Sequence, residues 1–433
     1  MEYQEAIDFL YPLHRFGIRP GLDRVHGLLH ELGRPEQRLG RVVHIAGTNG
    51  KGTVAACMAS IFTASGRKTG LFTSPHLVDF TERIRIDGCQ IPREKIAWYC
   101  DRLQGLVMEL GATFFEVTTA IALAWFAEEG VDVSVIETGM GGRLDATNAV
   151  NGDVVIIPSI GFDHTAWLGD TLREIAAEKA AIIKPASRVY TAVTDRQALD
   201  EIGNAAARCE VPMCTVGRDA SFRINGVQPG RLDLRVMLAS GESRDLTVPL
   251  TGSFHATNVT LAVMAARAEG LGWVEIESGL SRIAASGYRA RLEQLSAHPI
   301  VMLDVSHNPD GMEKSFQALR EIRGAFRDLY VLIGVAADKD AAGIVRPVGE
   351  LARMVVTVCL PTERSQSPET LGELCRKSGI AEVQVCGTVT EGLDLLCSKA
   401  GPDDLILVTG SFFLAGEVIA SRRWGGAPSM AAM

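Results

Sequence analysis

A glycine-rich heptapeptide, Gly47-Thr48-Asn49-Gly50-Lys51-Gly52-Thr53, is the first stretch whose residue types and spacing could do chemistry. Glycines let backbone N–H groups close around phosphate oxygens, and Lys51 sets a positive charge against the outer phosphates. The run Val42 to Ala46 predicts a strand before the loop, and Val54 to Ala59 predicts a helix after it, the context a phosphate-binding loop requires. An ordinary glycine-rich turn is the competing reading. Lys179 is the second candidate. On the helix predicted over residues 171–183, the positions three and four away are Ile175, Ala176, Ile182 and Ile183, which puts Lys179 on the buried stripe. A desolvated lysine loses affinity for its proton, and the neutral amine can react with carbon dioxide. A lysine that snorkels its ammonium to solvent is the alternative. Ser74, Glu137 and His164 each follow a predicted strand, where open α/β sheets place their ligand crevice. A turn before Pro75, a strand-end surface charge and a capping or core histidine compete with that reading.

Such groups need a rigid sheet behind them. Short β-branched runs at 70–73, 131–136 and 154–157 alternate with helix-like segments, which predicts an α/β fold with a P-loop-type, mostly parallel sheet. Between about Ser187 and Leu250 the runs shorten and alternate, as in Arg231 to Val236, and predict a small antiparallel appendage; a helix follows over 256–269. A second series at 300–303, 329–333, 354–358 and 405–408 predicts a Rossmann-like α/β domain. With 433 residues, more than one core usually organises, two domains are expected at 1–290 and 291–433, with a linker near 286–298.

The formal charge of -9 argues against broad binding to nucleic acid, which needs clustered Lys and Arg. Nine cysteines lack any Cys-x-x-Cys pair or metal-ligand spacing, so reduced thiols in the cytoplasm are expected. Residues 1–5 do not begin a basic segment followed by an apolar run, and eighteen consecutive apolar residues never occur, so neither secretion nor a membrane span is expected.

The loop departs from the common Gly-x-x-x-x-Gly-Lys-Ser/Thr form and resembles that of the Mur ligase superfamily, in particular its folate branch, the folylpolyglutamate/dihydrofolate synthases. Further blocks agree in order and spacing: Ser74-Pro75-His76, Glu82-Arg83-Ile84, Thr113-Phe114-Phe115-Glu116, Gly139 to Asn148, Asp163-His164, Glu178-Lys179-Ala180, Asp304 to Pro309, Asp338-Lys339-Asp340 and Thr409-Gly410-Ser411. The resemblance implies ATP contacts from the loop, Asn258, Arg291, Asp304 and His307. It implies two Mg²⁺ ions held by Ser74, Glu137, His164 and Lys179 as its carbamate, with Lys51, His164 and Lys179 catalytic; a monovalent cation is a further implied ion. Arg19-Pro20-Gly21, Thr113, Phe114, Phe115, Glu116, Leu144, Asp145 and Ala146 map to the pterin site, and Ser411 to the glutamate side.

The activity so implied is ATP-dependent ligation of L-glutamate to dihydropteroate or a reduced folate through an acyl phosphate, by a monomer that is either bifunctional or a folylpolyglutamate synthase alone. A P-loop nucleotide switch is the alternative of another class. Three departures stand out. Tyr288-Arg289-Ala290-Arg291 replaces the family's Trp/Leu-Pro-Gly-Arg, Ala256 stands where glutamine is usual, and Arg19 stands where some bifunctional relatives are acidic.

Overall fold

The computed structural model describes residues 1–17 and 19–424. Their contacts gather them into two compact units, residues 1–223, 235–247 and 256–288 in the first, and 224–234, 248–255 and 289 onward in the second.

In the first unit the described residues form an eight-stranded sheet from β1 (Arg41–Ile45), β2 (Thr69–Phe72), β3 (Ile84–Ile86), β4 (Cys89–Gln90), β5 (Val133–Glu137), β6 (Val154–Ile157), β7 (Arg188–Thr191) and β8 (Met213–Thr215), in the order β4-β3-β2-β5-β1-β6-β7-β8. The six strands from β2 to β8 in that order run parallel, and the β3–β4 hairpin adds antiparallel to β2. β2, β5 and β6 are buried along their whole length, as parallel strands covered on both faces must be. The helix Lys51–Ala64 that follows β1 is likewise buried without a break from Thr53 to Phe62. Its outer side meets the helix Trp273–Ser281, where a Cβ on Gly279 would stand 2.5 Å from the Ile61 Cα. Only glycine allows so close a helix crossing.

The antiparallel piece begins later than the alternation near Ser187 suggests. β7, β8 and the helix Arg196–Arg208 between them extend the parallel sheet, and the antiparallel sheet comprises β9 (Ala220–Gln228), β10 (Arg231–Leu238) and β11 (Ser243–Val248), ordered β11-β10-β9. β7 opens on an exposed arginine and β8, at the sheet edge, has only Thr215 buried, so neither shows the continuous apolar run of a central strand.

In the second unit β12 (Glu293–Ala297), β13 (Ile300–Leu303), β14 (Leu329–Ile333), β15 (Met354–Val358), β16 (Glu382–Cys386) and β17 (Leu405–Thr409) form a sheet ordered β12-β13-β17-β14-β15-β16. All neighbours are parallel except β12, which pairs antiparallel with β13. β12 occupies the stretch read as a linker. It is an edge strand of polar, half-buried residues, so no apolar pattern announces it. No helix among the described residues is long and apolar enough to cross a membrane.

Candidate active site

The glycine-rich loop leaves the end of β1 and enters its helix at Gly50, whose φ of 87° and Cβ direction, only 2.5 Å from Asn258 Oδ1, both demand glycine. Asn258 therefore lies directly on the loop. Lys51 folds back over it, its Nζ donating to the carbonyls of Gly47 (3.0 Å) and Thr48 (3.2 Å). A strap after β6 fixes the other side. Thr48 N–H donates to Ser159 O (2.9 Å), Asn49 N–H to Ser159 Oγ (2.9 Å), and Gly161 N–H to Thr48 Oγ1 (2.9 Å). The Thr53 hydroxyl meets the Tyr288 hydroxyl at 2.9 Å. In the sequence only Ser159 and Gly161, either side of an apolar Ile160, mark this strap.

Lys179 is buried at 4% exposure, as its helical spacing requires, on a helix Leu172–Ala180 that Thr171 and Glu174 cap reciprocally. Its Nζ donates to Gly47 O at 3.0 Å, the same carbonyl that Lys51 holds. Burial first, and the Lys51 charge second, pull its pKa down to about 7. The Gly139–Gly142 turn packs against this helix so tightly that a Cβ on Gly142 would lie 2.6 Å from Glu178 O.

Glu137, at the end of β5, is buried and accepts from Ser74 N–H at 3.1 Å. Its carboxylate oxygens come within 3.8 and 3.9 Å of a Cβ placed on Gly52, so Ser74, Glu137 and the glycine-rich loop meet. His164 lies on the segment after β6. Its side chain is exposed at the start of a short helix, with a left-handed φ of 51° and Asp163 at 3.8 Å. Among the described residues no group of three or more His, Cys, Asp or Glu is arranged to hold a metal ion.

Beside Ser74 opens a cavity of about 400 Å³. Arg19, Thr113, Phe114, Phe115, Glu116, Leu144, Asp145 and Ala146 all line it; Pro20 and Gly21 do not. Ser74, Pro75, Arg83, Gly139 and Met140 complete much of the wall. Phe115 packs beneath the Gly139 backbone, where a Cβ would touch its ring at 2.6 Å. Glu116 caps the helix Phe114–Glu129 through Thr113 N–H and is paired with Arg24 at 2.9 Å. Asp145 accepts from Met140 N–H, Thr147 N–H and the Thr147 hydroxyl (2.6 Å). Burial raises its pKa against these bonds. Thr147 gives its own proton to Asp145, so it accepts from His44 Nε2 at 2.9 Å. Burial, then Lys184, depresses the His44 pKa to about 3, which keeps that ring neutral.

The remaining candidates lie on the second unit. Asp304 is an internal hub. Its carboxylate accepts from Ser306 N–H (3.1 Å), the Ser315 hydroxyl (2.9 Å) and the Thr409 hydroxyl (3.3 Å). The helix N-cap is Asn308, three residues after Val305. His307 Nδ1 lies 3.0 Å from Val305 O. Arg291 lies over the Phe412 ring at 5.1 Å, whereas Arg289 is committed to Glu293. Ala290, where the family has glycine, adopts a left-handed φ of 57°. Ser411 caps the helix Phe412–Ala420, accepting from Phe413 N–H at 3.1 Å.

Comparison with known proteins agrees with this architecture. Residues 45–266 match the Mur ligase middle domain and residues 290–412 the Mur ligase glutamate ligase domain. A dihydrofolate synthase/folylpolyglutamate synthase of Bacillus subtilis is 31% identical, with 96% of this chain and 98% of that protein aligned. A probable bifunctional folylpolyglutamate synthase/dihydropteroate synthase of Haloferax volcanii is 35% identical over 96% of this chain, which spans 50% of that longer protein. The structure of Escherichia coli FolC in complex with DHPP and ADP superposes with a TM-score of 0.87 at 29% identity, covering 98% of this chain and 99% of that one. The chain belongs to the folylpolyglutamate synthase/dihydrofolate synthase family of Mur ligases.

Proposed function

We propose that the chain is a bifunctional dihydrofolate synthase and folylpolyglutamate synthase, joining L-glutamate to a pteroyl carboxylate with ATP. One observation carries this reading: Ser74 lines the cavity, and through its amide holds Glu137, whose carboxylate faces Gly52 of the phosphate loop. A pocket walled by Phe114 and Phe115 thus adjoins the nucleotide loop.

A carboxylate repels an amine and has no good leaving group; phosphorylation removes both obstacles. The substrate carboxylate attacks the γ-phosphorus of ATP and ADP departs, with Lys51 balancing charge on the phosphoryl group in transfer. The neutral amine of L-glutamate then attacks the acyl carbon. The tetrahedral intermediate expels inorganic phosphate and sheds the amine proton, leaving an amide.

The donors fit Mg²⁺. Ser74 offers a hydroxyl and Glu137 a carboxylate, both hard oxygen ligands. The depressed pKa of Lys179 favours the neutral amine that carbon dioxide captures, and its carbamate would add two more oxygens. With His164, these residues would hold the two ions, which when bound neutralise phosphate charge.

The test is mass analysis of products from purified protein given ATP, L-glutamate and either dihydropteroate or tetrahydrofolate. One added glutamate on each is expected. Product from tetrahydrofolate alone would restrict the enzyme to folylpolyglutamate synthesis, the second reading, which Arg19 on the cavity wall favours. ATP turnover indifferent to both pteroyl compounds and to glutamate would refute the ligase.

A further inference from the structure

The cavity wall carries a cation that none of the assignments above uses. Arg83, from the Glu82-Arg83-Ile84 block, is 7% exposed and lines the cavity together with Ser74 and Phe114. Its guanidinium lies over the Phe114 ring at 5.1 Å. Nε donates to His76 Nδ1 at 2.8 Å, which fixes that imidazole as the acceptor on this side. Among the described residues the guanidinium makes no other hydrogen bond and no ion pair. The carboxylates that act on it from a distance are occupied: Glu82 accepts from the N–H groups of Leu77, Val78 and Asp79, and Glu137 from Ser74.

Burial of a charged group without a counter-ion is costly, and a structure that retains one beside a cavity is prepared for an anion. Burial lowers the Arg83 pKa only to about 10, so the group stays cationic at neutral pH. The other arginine on the wall, Arg19, is exposed. The acids on the wall, Glu116 and Asp145, are already satisfied by Arg24 and by the Met140 and Thr147 donors. With Nε tied to His76, the Nη1 and Nη2 edge presents the planar fork that matches a carboxylate.

We propose that Arg83 binds the reacting carboxylate of the pteroyl substrate, holding it on the Ser74 side of the cavity while the aromatic walls take the ring. This assignment rests on the ligase reading and adds a carboxylate-binding residue to it. His76 is a positioning residue that orients the fork.

The experiment is equilibrium binding, by fluorescence titration without ATP or glutamate, of dihydropteroate and of its carboxamide analogue. Wild type, Arg83→Met and Arg83→Lys are compared. Wild type is expected to prefer the carboxylate by about tenfold or more. Arg83→Met should bind both ligands alike, at the wild-type affinity for the amide, and Arg83→Lys should keep part of the preference. If Arg83→Met does not fold, the lysine variant and the wild-type ratio carry the test. Equal loss of both ligands in the variants would make Arg83 structural and overturn the assignment, as would a wild type that does not distinguish them. A full wild-type preference that survives in Arg83→Met, or in Arg83→Lys where that is the variant that folds, would also overturn it. Wild type that binds neither pteroyl compound would refute the ligase reading itself.

Discussion

Replacing Lys179 by methionine isolates the consequence of burying its charge. The ammonium is 4% exposed, and burial with Lys51 moves its pKa from 10.5 to about 7. Between those values the unfolded chain keeps the lysine proton while the native chain releases it, so stability rises with pH across the window. The penalty is absent above the unfolded value, grows as pH falls, and is complete below the folded one. A depression of this size costs about 4 kcal/mol at pH 7 and about 2 kcal/mol at pH 9. Methionine fills a similar volume and carries no charge, and it forfeits the hydrogen bond to Gly47 O, which contributes about 1 kcal/mol. Lys179→Met should therefore be more stable than wild type by about 3 kcal/mol at pH 7, and by about 1 kcal/mol at pH 9. Chemical denaturation at both pH values, in buffer free of carbon dioxide and nucleotide, measures this. The same depression leaves about half of the lysine neutral at pH 7, where an unperturbed one has about one in 3,000. Added bicarbonate should then stabilise wild type and produce a carbamate ¹³C signal that Lys179→Met lacks. A variant with the same pH dependence as wild type, or one less stable at both pH values, would refute the reasoning.

Arg24→Met strands the Glu116 carboxylate, whose side chain is 6% exposed, and should destabilise the first unit by about 3 kcal/mol. Glu116→Gln in the same chain should recover part of that loss, as a double-mutant cycle of denaturation midpoints would show. Glu137→Gln removes the carboxylate beside Gly52 and should raise the Mg²⁺ concentration for half-maximal activity by about tenfold, leaving the KM for the pteroyl substrate unchanged.

What could be read in advance followed from periodicity and punctuation. The central strands were visible because they are buried on both faces, and Lys179 because helical spacing surrounded it with Ile175, Ala176 and Ile182. β12 and β16 stayed hidden for the opposite reason: both lie at sheet edges and no residue of either is fully buried, so neither shows the continuous buried apolar run of a central strand. The polar interior resisted for a different cause. Spacing says that Asp304 follows a strand, but only the fold shows its carboxylate shared among Ser306, Ser315 and Thr409, the last more than a hundred residues away.

The same limit applies to the cavity, whose lining residues come from stretches far apart in the sequence. Gly47 to Thr53 is a local device, in which backbone N–H groups and one lysine within seven residues would do the binding. A pocket for a carboxylate is assembled from distant pieces: Arg83 precedes β3, His76 follows β2, and Phe114 opens a helix some thirty residues on. Each has an ordinary explanation alone, as a strand-flanking charge, a turn histidine or a core aromatic. Their chemistry appears when burial leaves one guanidinium with no carboxylate partner among the described residues, beside an aromatic wall. The resemblance named a carboxylate as the reacting end; on the proposal above, the charge inventory of the folded cavity adds the residue that would hold it.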